Sequence, residues 1–243
     1  MSEEDPNILA TRSLELALLA YLLRDPADAR EEAGEEILGA LEGIGAKGKR
    51  GETFSRIAAQ LRAGRHGEAY NRTFGHVPAG RLSPYETSYG SANAFTQSQA
   101  LADLQGFYKA FGVEPSALYR ERPDHLGLEA EFLSLVEFKE ALALNGRDEE
   151  GAQICRAARQ RFLENHIGRW APVIFERLER EAADDLYRLC GTLGRLVLEE
   201  EILATGARCP QGALASPPSG LAEDSYPELF GCPGTIAQDE PAL

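Results

Sequence analysis

Apolar residues recur along the chain at the spacing of a helix face. In the stretch 14–22, leucines stand at positions i, i+4 and i+8, with Ala17 and Tyr21 on the same side. This period predicts an amphipathic helix that turns one face to a core. The same spacing is found in residues 54–61, 101–111 and 186–197.

Other stretches also read as helices, whereas signals for strands are nearly absent. No long run alternates apolar and polar residues among β-branched types. The pattern predicts an all-α fold, a single compact helical bundle of about eight to ten helices at ordinary helix lengths. The additional helical stretches are 124–144, 147–165 and 172–183.

The composition changes after residue 205. Residues 206–243 contain many Pro and Gly residues and no helical stripe. The sequence therefore predicts an all-helical domain at 1–205 and an extended or disordered C-terminal tail at 206–243.

Charge narrows the classes of function. Of 243 residues, 39 are acidic and 25 basic, so the net charge is −14, which argues against nonspecific binding to nucleic acid and suits a basic partner such as an Arg-rich peptide. The acidic N-terminus is unlike a secretory signal, and the longest early apolar run, residues 16–23, has only eight residues. We expect a cytoplasmic protein without stable membrane insertion.

The cysteines and histidines form no recognisable metal motif. Cys155 and Cys190 lie in helical patterns and are expected to be reduced core thiols, and no pair has the C-x-x-C spacing. Cys209 and Cys232 fall in the predicted tail. Two free thiols are one alternative there, and a disulfide or a metal ion that joins the two cysteines is the other. His125 and Glu129 stand at i and i+4 with no third ligand near them, so no metal site is predicted.

Residues 43–49 (GIGAKGK) match the first seven positions of a phosphate-binding loop. The next residue is Arg50, where the motif needs Ser or Thr, and the loop follows a helix where the motif needs a strand. A flexible connection between helices is the simpler interpretation. Nucleotide binding at this loop stays as an alternative function.

Two other stretches favour a binding surface over a catalytic site. Residues 83–89 (SPYETSY) combine a proline, two tyrosines and an acid, which is typical of a peptide-binding groove if the tyrosines are partly exposed. Asp124, between Pro123 and His125, is predicted to be a helix N-cap. No catalytic triad or paired-carboxylate spacing stands out, and His66, His76 and His166 are expected at the surface or at helix ends.

Four segments give the chain a family likeness: residues 68–74 (EAYNRTF), 83–89 (SPYETSY), 121–126 (ERPDHL) and 165–172 (NHIGRWAP). The chain resembles the TorD/DmsD/NarJ family of cytoplasmic chaperones for molybdenum enzymes over about residues 10–205. The most specific likeness is to the family's E-x-P-D-H-(L/F) signature.

The resemblance implies an all-α fold, no catalysis and no cofactor of its own. It implies a partner, the catalytic subunit of a molybdenum oxidoreductase of the dimethyl sulfoxide reductase superfamily, often bound through its twin-arginine leader and held until the molybdenum cofactor is inserted. It also implies a monomer or a helix-swapped homodimer. The binding candidates it gives are Tyr70, Phe74, Pro84, Tyr85, Tyr89, Pro123, Asp124 and His125.

Physical reasoning adds Glu86 to these candidates. Asp124 and Glu86 are expected to pair with the two arginines of a leader, since arginine favours bidentate contacts with carboxylates. His125 is then expected to be a polar residue at the rim. An assembly factor that binds only the mature body of its client is a second alternative.

Overall fold

The computed structural model describes residues 4–75, 82–90, 93–114 and 121–209. These residues form nine α-helices and one short 3-10 helix, Glu86–Ser88, with no strand among them, so the prediction of an all-α fold is confirmed. The α-helices are α1 (Pro6–Leu23), α2 (Glu31–Ile44), α3 (Gly48–Arg62), α4 (His66–Phe74), α5 (Ala94–Ala110), α6 (Leu126–Asn145), α7 (Glu149–Asn165), α8 (Ile167–Glu181) and α9 (Asp185–Thr205).

Helix α8 begins five residues before the predicted start at Pro172. Proline is favoured in a first turn, but here it lies inside the helix. Ile167 and Trp170 are fully buried and extend the core face of α8 toward its N-terminus. Packing of these side chains therefore sets the start of the helix, and proline does not.

The last helix, α9, ends at Thr205, where the composition of the sequence changes. Gly206, with a φ of 67°, provides the left-handed residue that terminates α9 after Thr205. The Arg208 N–H then donates to Glu164 Oε1 on α7 (2.9 Å), so the chain runs back over the body as far as Cys209. The rest of the predicted tail, including Cys232, lies outside the described residues. Cys155 and Cys190 are buried free thiols, as expected.

Helices α1 and α6 form the centre of the bundle and run antiparallel. Their small residues allow close contact: the Ser13 hydroxyl donates to the Ser134 carbonyl (2.9 Å), and the Ser134 hydroxyl donates to the Ser13 carbonyl (2.7 Å). Buried residues make up most of α6, and one stripe with Glu131, Phe138 and Leu142 is exposed. This helix supports the segment at residues 121–126 that carried the family likeness.

Charged side chains are buried between α1, α6, α7 and α9. Two arginines and three glutamates are almost completely excluded from solvent: Arg12, Arg159, Glu137, Glu140 and Glu201. The Arg159 guanidinium lies 2.6 Å from a Glu140 oxygen and 2.8 Å from a Glu201 oxygen, and Arg12 Nε lies 3.0 Å from Glu137 Oε1. Each buried charge therefore has a partner of opposite sign, which burial requires.

This cluster contains one more acid than it has arginines. Burial and the neighbouring Glu201 carboxylate raise the pKa of Glu137 well above its ordinary value. At the edge of the cluster, Glu4 contacts both arginines and Arg156 pairs with Glu140.

Among the helices of the described residues, none combines the length and apolar content needed to cross a membrane.

Removal of Arg159 tests the importance of this cluster. In Arg159→Ala the glutamates around it lose their main cation, and we expect the free energy of unfolding to fall by about 3–5 kcal/mol. Urea denaturation measures the change. The control is Arg180→Ala, whose side chain is 70% exposed and pairs with Glu176 four residues away, and it should cost at most about 1 kcal/mol. Equal losses in the two variants would contradict a structural role for the buried cluster.

Candidate functional site

Two segments that carried the family likeness lie side by side. They form a short antiparallel bridge between Tyr85 and His125. The Glu86 N–H donates to the Asp124 carbonyl (3.0 Å), and the Pro84 carbonyl accepts from the first N–H of α6 (2.8 Å). Most of the predicted site residues are therefore in one place, on a loop held against the start of the central helix.

Asp124 joins the two segments through its side chain. Its fully buried carboxylate accepts from the Thr87 N–H (3.1 Å) and the Thr87 hydroxyl (2.7 Å). It also accepts from Arg122 Nε (2.9 Å) and Nη2 (2.6 Å). The prediction that Asp124 caps α6 is wrong: His125 is the N-cap, with its Nδ1 accepting from the Gly127 N–H (3.1 Å).

His125 is also not the rim residue that we expected. Its side chain is fully buried, and burial lowers its pKa to about 4, so the ring is neutral at physiological pH. A neutral ring can offer a nitrogen lone pair to the helix N–H, which a protonated ring cannot do. The ring of Tyr85 packs edge-on against it at 5.3 Å between centroids.

Tyr85 forms the accessible part of this site. Its ring is partly exposed, its hydroxyl donates to Glu121, and the Arg122 guanidinium lies over it at 4.9 Å from the centroid. Pro84 and Pro123 are also partly exposed and lie in the two segments that the bridge joins. An aromatic ring, two prolines and charged groups thus share one surface.

A second aromatic group lies next to it on α4. Tyr70 and Phe74 are partly buried with ring centroids 5.3 Å apart, and Phe74 packs edge-on against Tyr187 of α9 at 5.0 Å. Burial raises the pKa of the Tyr70 hydroxyl, and so does the nearby Glu121 carboxylate. Burial and Glu121 likewise raise the pKa of Tyr85. Glu121 is therefore close to both phenols, and the two aromatic groups border one acidic spot.

Carboxylates of the α1–α2 connection extend this acidic spot. After burial and Glu121, Asp25 and Asp28 are the next causes of the raised pKa of Tyr70. Neither aspartate was predicted from the sequence, because they belong to a loop with no motif. Only the fold brings them within electrostatic range of Tyr70.

Two of the predicted binding residues, Tyr89 and Glu86, make contacts within the protein instead. Tyr89 is fully buried, its hydroxyl donates to the Ser83 carbonyl (2.8 Å), and its ring lies 5.2 Å from Trp170. It supports the loop and is not an exposed aromatic. Glu86 Oε2 lies 3.1 Å from His166 Nδ1, so Glu86 is not free to meet an incoming arginine.

His66 and His166 lie at helix ends, one of the two places expected, but both are buried and not at the surface. The other ring nitrogen of the buried His166 lies 3.0 Å from an Asp103 oxygen on α5, so His166 joins the loop to α5. His66 begins α4, as a helix-end residue, but it is buried with Nε2 3.0 Å from the Leu22 carbonyl. His76 lies outside the described residues.

The other candidate sites gain no support from the geometry. Gly45 and Gly48, with φ of 71° and 64°, connect α2 to α3, and no strand precedes them in the part of the chain described. Glu129 accepts from the Trp170 indole N–H (3.2 Å). Across the described ranges, no group of three His, Cys, Asp or Glu side chains could hold a metal ion.

Comparison with known proteins identifies the family of the chain. Residues 50–176, slightly more than half of the chain, match the family model described as nitrate reductase delta subunit. The chain belongs to this family. The resemblance to the TorD/DmsD/NarJ chaperones is thereby confirmed, and all nine candidate residues from Tyr70 to His125 fall inside the segment that matches.

Two curated relatives are similar to part of the chain. The selenate reductase assembly chaperone protein of Thauera selenatis is 38% identical over 112 residues, which are 46% of this chain and 55% of the relative. The chlorate reductase assembly chaperone protein of Ideonella dechloratans is 43% identical over 99 residues, which are 40% of this chain and 49% of the relative. The chain thus spans about half the length of the relatives it matches. Both names denote assembly chaperones and not catalysts, in agreement with the expectation from the family.

The identity of the N-cap can be tested with two variants of one residue. His125→Ala removes the acceptor for the first turn of α6, whereas His125→Asn keeps an acceptor that caps helices well. We expect the alanine variant to be less stable than the asparagine variant by about 1 kcal/mol, measured by urea denaturation. Equal stabilities would contradict the capping role.

Proposed function

We propose that the chain is a cytoplasmic assembly chaperone for the catalytic subunit of a molybdenum oxidoreductase of the dimethyl sulfoxide reductase superfamily. It binds this subunit, including its twin-arginine leader, and holds it for insertion of the molybdenum cofactor before export. The family membership and the names of both relatives support the class of partner. The aromatic and acidic residues of the site support a peptide ligand that is both basic and apolar.

The observation that carries the proposal is the surface formed by Tyr85, Tyr70 and Phe74 around Glu121. Partly exposed rings offer apolar area that a peptide can cover, at roughly 25 cal/mol per Å² before the costs of ordering. The carboxylate of Glu121, with Asp25 and Asp28 near Tyr70, gives the same surface a negative charge. A leader with a basic start and an apolar middle is complementary to both features.

Asp124 and Glu86 were expected to pair with the two arginines of a leader, and the geometry changes this expectation. Glu86 is turned toward His166, and Asp124 is already paired with Arg122. Glu121 is the better placed carboxylate for a basic group at the surface, because its side chain lies beside the exposed edge of Tyr85. The partly exposed residues Tyr70, Phe74, Pro84, Tyr85 and Pro123 keep the predicted binding role in this proposal. The buried Tyr89 and His125 support the surface from beneath.

Substitution of Tyr85 tests this function. We expect Tyr85→Ala to weaken binding of a synthetic peptide, two arginines followed by an apolar stretch, by about tenfold, the effect of losing about 1.4 kcal/mol from an aromatic anchor. Tyr85→Phe keeps the ring and should stay within about threefold of the original affinity. Isothermal titration calorimetry on the folded variants measures both.

A control variant and a catalytic subunit without its leader show whether the effect is specific to this site and to the leader. Leu203→Ala changes a side chain that is 82% exposed on α9, sixteen residues beyond Tyr187, and it should leave binding unchanged. If the peptide does not bind even the unmodified chain, the leader is not the ligand. Binding of a leaderless catalytic subunit, lost in Tyr85→Ala, would then indicate that the site holds the mature body.

A further inference from the structure

We propose that Asp124, Thr87 and the ring of Tyr85 form an arginine-binding subsite that the chain's own Arg122 fills, and that an arginine of the client exchanges with it. This inference rests on the proposed function, because it specifies how the same surface recognises a basic peptide. It assigns to Arg122 the part of an internal competitor.

The contacts of Arg122 are those by which proteins recognise guanidinium groups. Its Nε and Nη2 lie 2.9 Å and 2.6 Å from the two oxygens of Asp124, which is a bidentate fork. Nη2 also donates to the Thr87 hydroxyl, and the guanidinium lies over the Tyr85 ring at 4.9 Å. A fork, a hydroxyl and an aromatic face together fit arginine and discriminate against the compact ammonium group of lysine.

The two partners in this pair differ in their exposure. The Asp124 side chain is 0% exposed, whereas the Arg122 side chain is 49% exposed. The buried carboxylate needs a cation, since an unpaired charge in this position is costly. The cation itself stands at the surface, so another guanidinium can reach the carboxylate from solvent when Arg122 turns away.

Local geometry makes such an exchange inexpensive. Arg122 lies two residues before Asp124 in the turn that leads into α6 and belongs to no helix. Rotation about its side-chain bonds moves the guanidinium without moving the backbone pairing between Glu86 and Asp124. A guest guanidinium offers Asp124, Thr87 and the Tyr85 ring the same donors and charge that they receive from Arg122.

Exchange has a consequence for affinity and specificity. Because the subsite is filled in the free chain, a guest arginine gains little there, and the affinity reflects the fraction of time that Arg122 is away. A lysine gains less still, since it cannot complete the fork. The subsite therefore selects for arginine while keeping the complex weak enough to release.

A purely structural role is the rival explanation of the same contacts. In that case Arg122 only ties the loop at Thr87 to the turn at Asp124, and no guest ever takes its place. The two explanations differ in what happens when the Arg122 side chain is removed.

The test uses Arg122→Ala in the full chain and N-acetyl-arginine amide as the probe, with N-acetyl-lysine amide as the control. If Arg122 fills the subsite nine-tenths of the time, its removal should tighten binding of the arginine probe by about tenfold. Calorimetry measures the affinity, and the probe should raise the Tm of Arg122→Ala more than that of the unmodified chain. The lysine probe should do neither. Arg122→Ala combined with Asp124→Asn should lose the gain.

Other outcomes would overturn the proposal. Equal affinities of the arginine probe for the variant and the unmodified chain, or equal gains from the two probes, leave Arg122 as a structural tie. If Arg122→Ala does not fold, Arg122→Ser serves in its place, since its side chain is too short to form the fork with Asp124. Failure of the probe to bind Arg122→Ser more tightly than the unmodified chain would overturn the proposal as well.

Failure of the proposed function can be distinguished from failure of the arginine subsite. A client peptide with two arginines should bind Arg122→Ala more tightly and Tyr85→Ala more weakly than the unmodified chain. If the arginine probe behaves as expected and no client peptide binds any variant, the subsite stands and the proposed client is wrong.

Discussion

The pairing of the loop at residues 84–86 with the turn at residues 124–126 is the contact on which the candidate site depends. Two backbone hydrogen bonds join the segments, and the buried carboxylate of Asp124 fastens the loop through Thr87. Tyr85 owes its position to this pairing. Since α6 packs against α1 and α7, the loop is held by a helix of the bundle core.

Burial of charge gives the interior its other distinctive feature. Glu129, Glu137, Glu140 and Glu201 are fully buried, each with an arginine or an indole N–H as partner. Some of the acidic excess of the sequence is therefore inside the protein and does not face a ligand. The overall charge was a guide to the class of partner, but only the placement of Glu121 beside Tyr85 gives that charge a location.

Helices were predictable because their apolar spacing is local, as at residues 14–22 and 186–197. The capping residue of α6 was not. Asp124 and His125 are adjacent and both can cap a helix, and the choice depends on Thr87 and Arg122, which draw the aspartate away. The burial of Tyr89 has the same kind of cause: a loop rich in tyrosine favours exposure, but Trp170 and the Ser83 carbonyl provide partners that the sequence does not bring together. Asp25 and Asp28 were missed because only the fold places them near Tyr70.

The most direct test of the account is photo-crosslinking from the site in the native host. Tyr85 is replaced by the aromatic photo-crosslinker p-benzoylphenylalanine, with the same replacement at the exposed Leu203 as the control. Mass spectrometry then identifies what each position captures. We predict that position 85, and not position 203, is joined to the large subunit of a molybdenum enzyme that still carries its leader. Capture of that subunit from position 203 alone, or no molybdenum-enzyme subunit at position 85, would contradict the assignment of this surface to client binding.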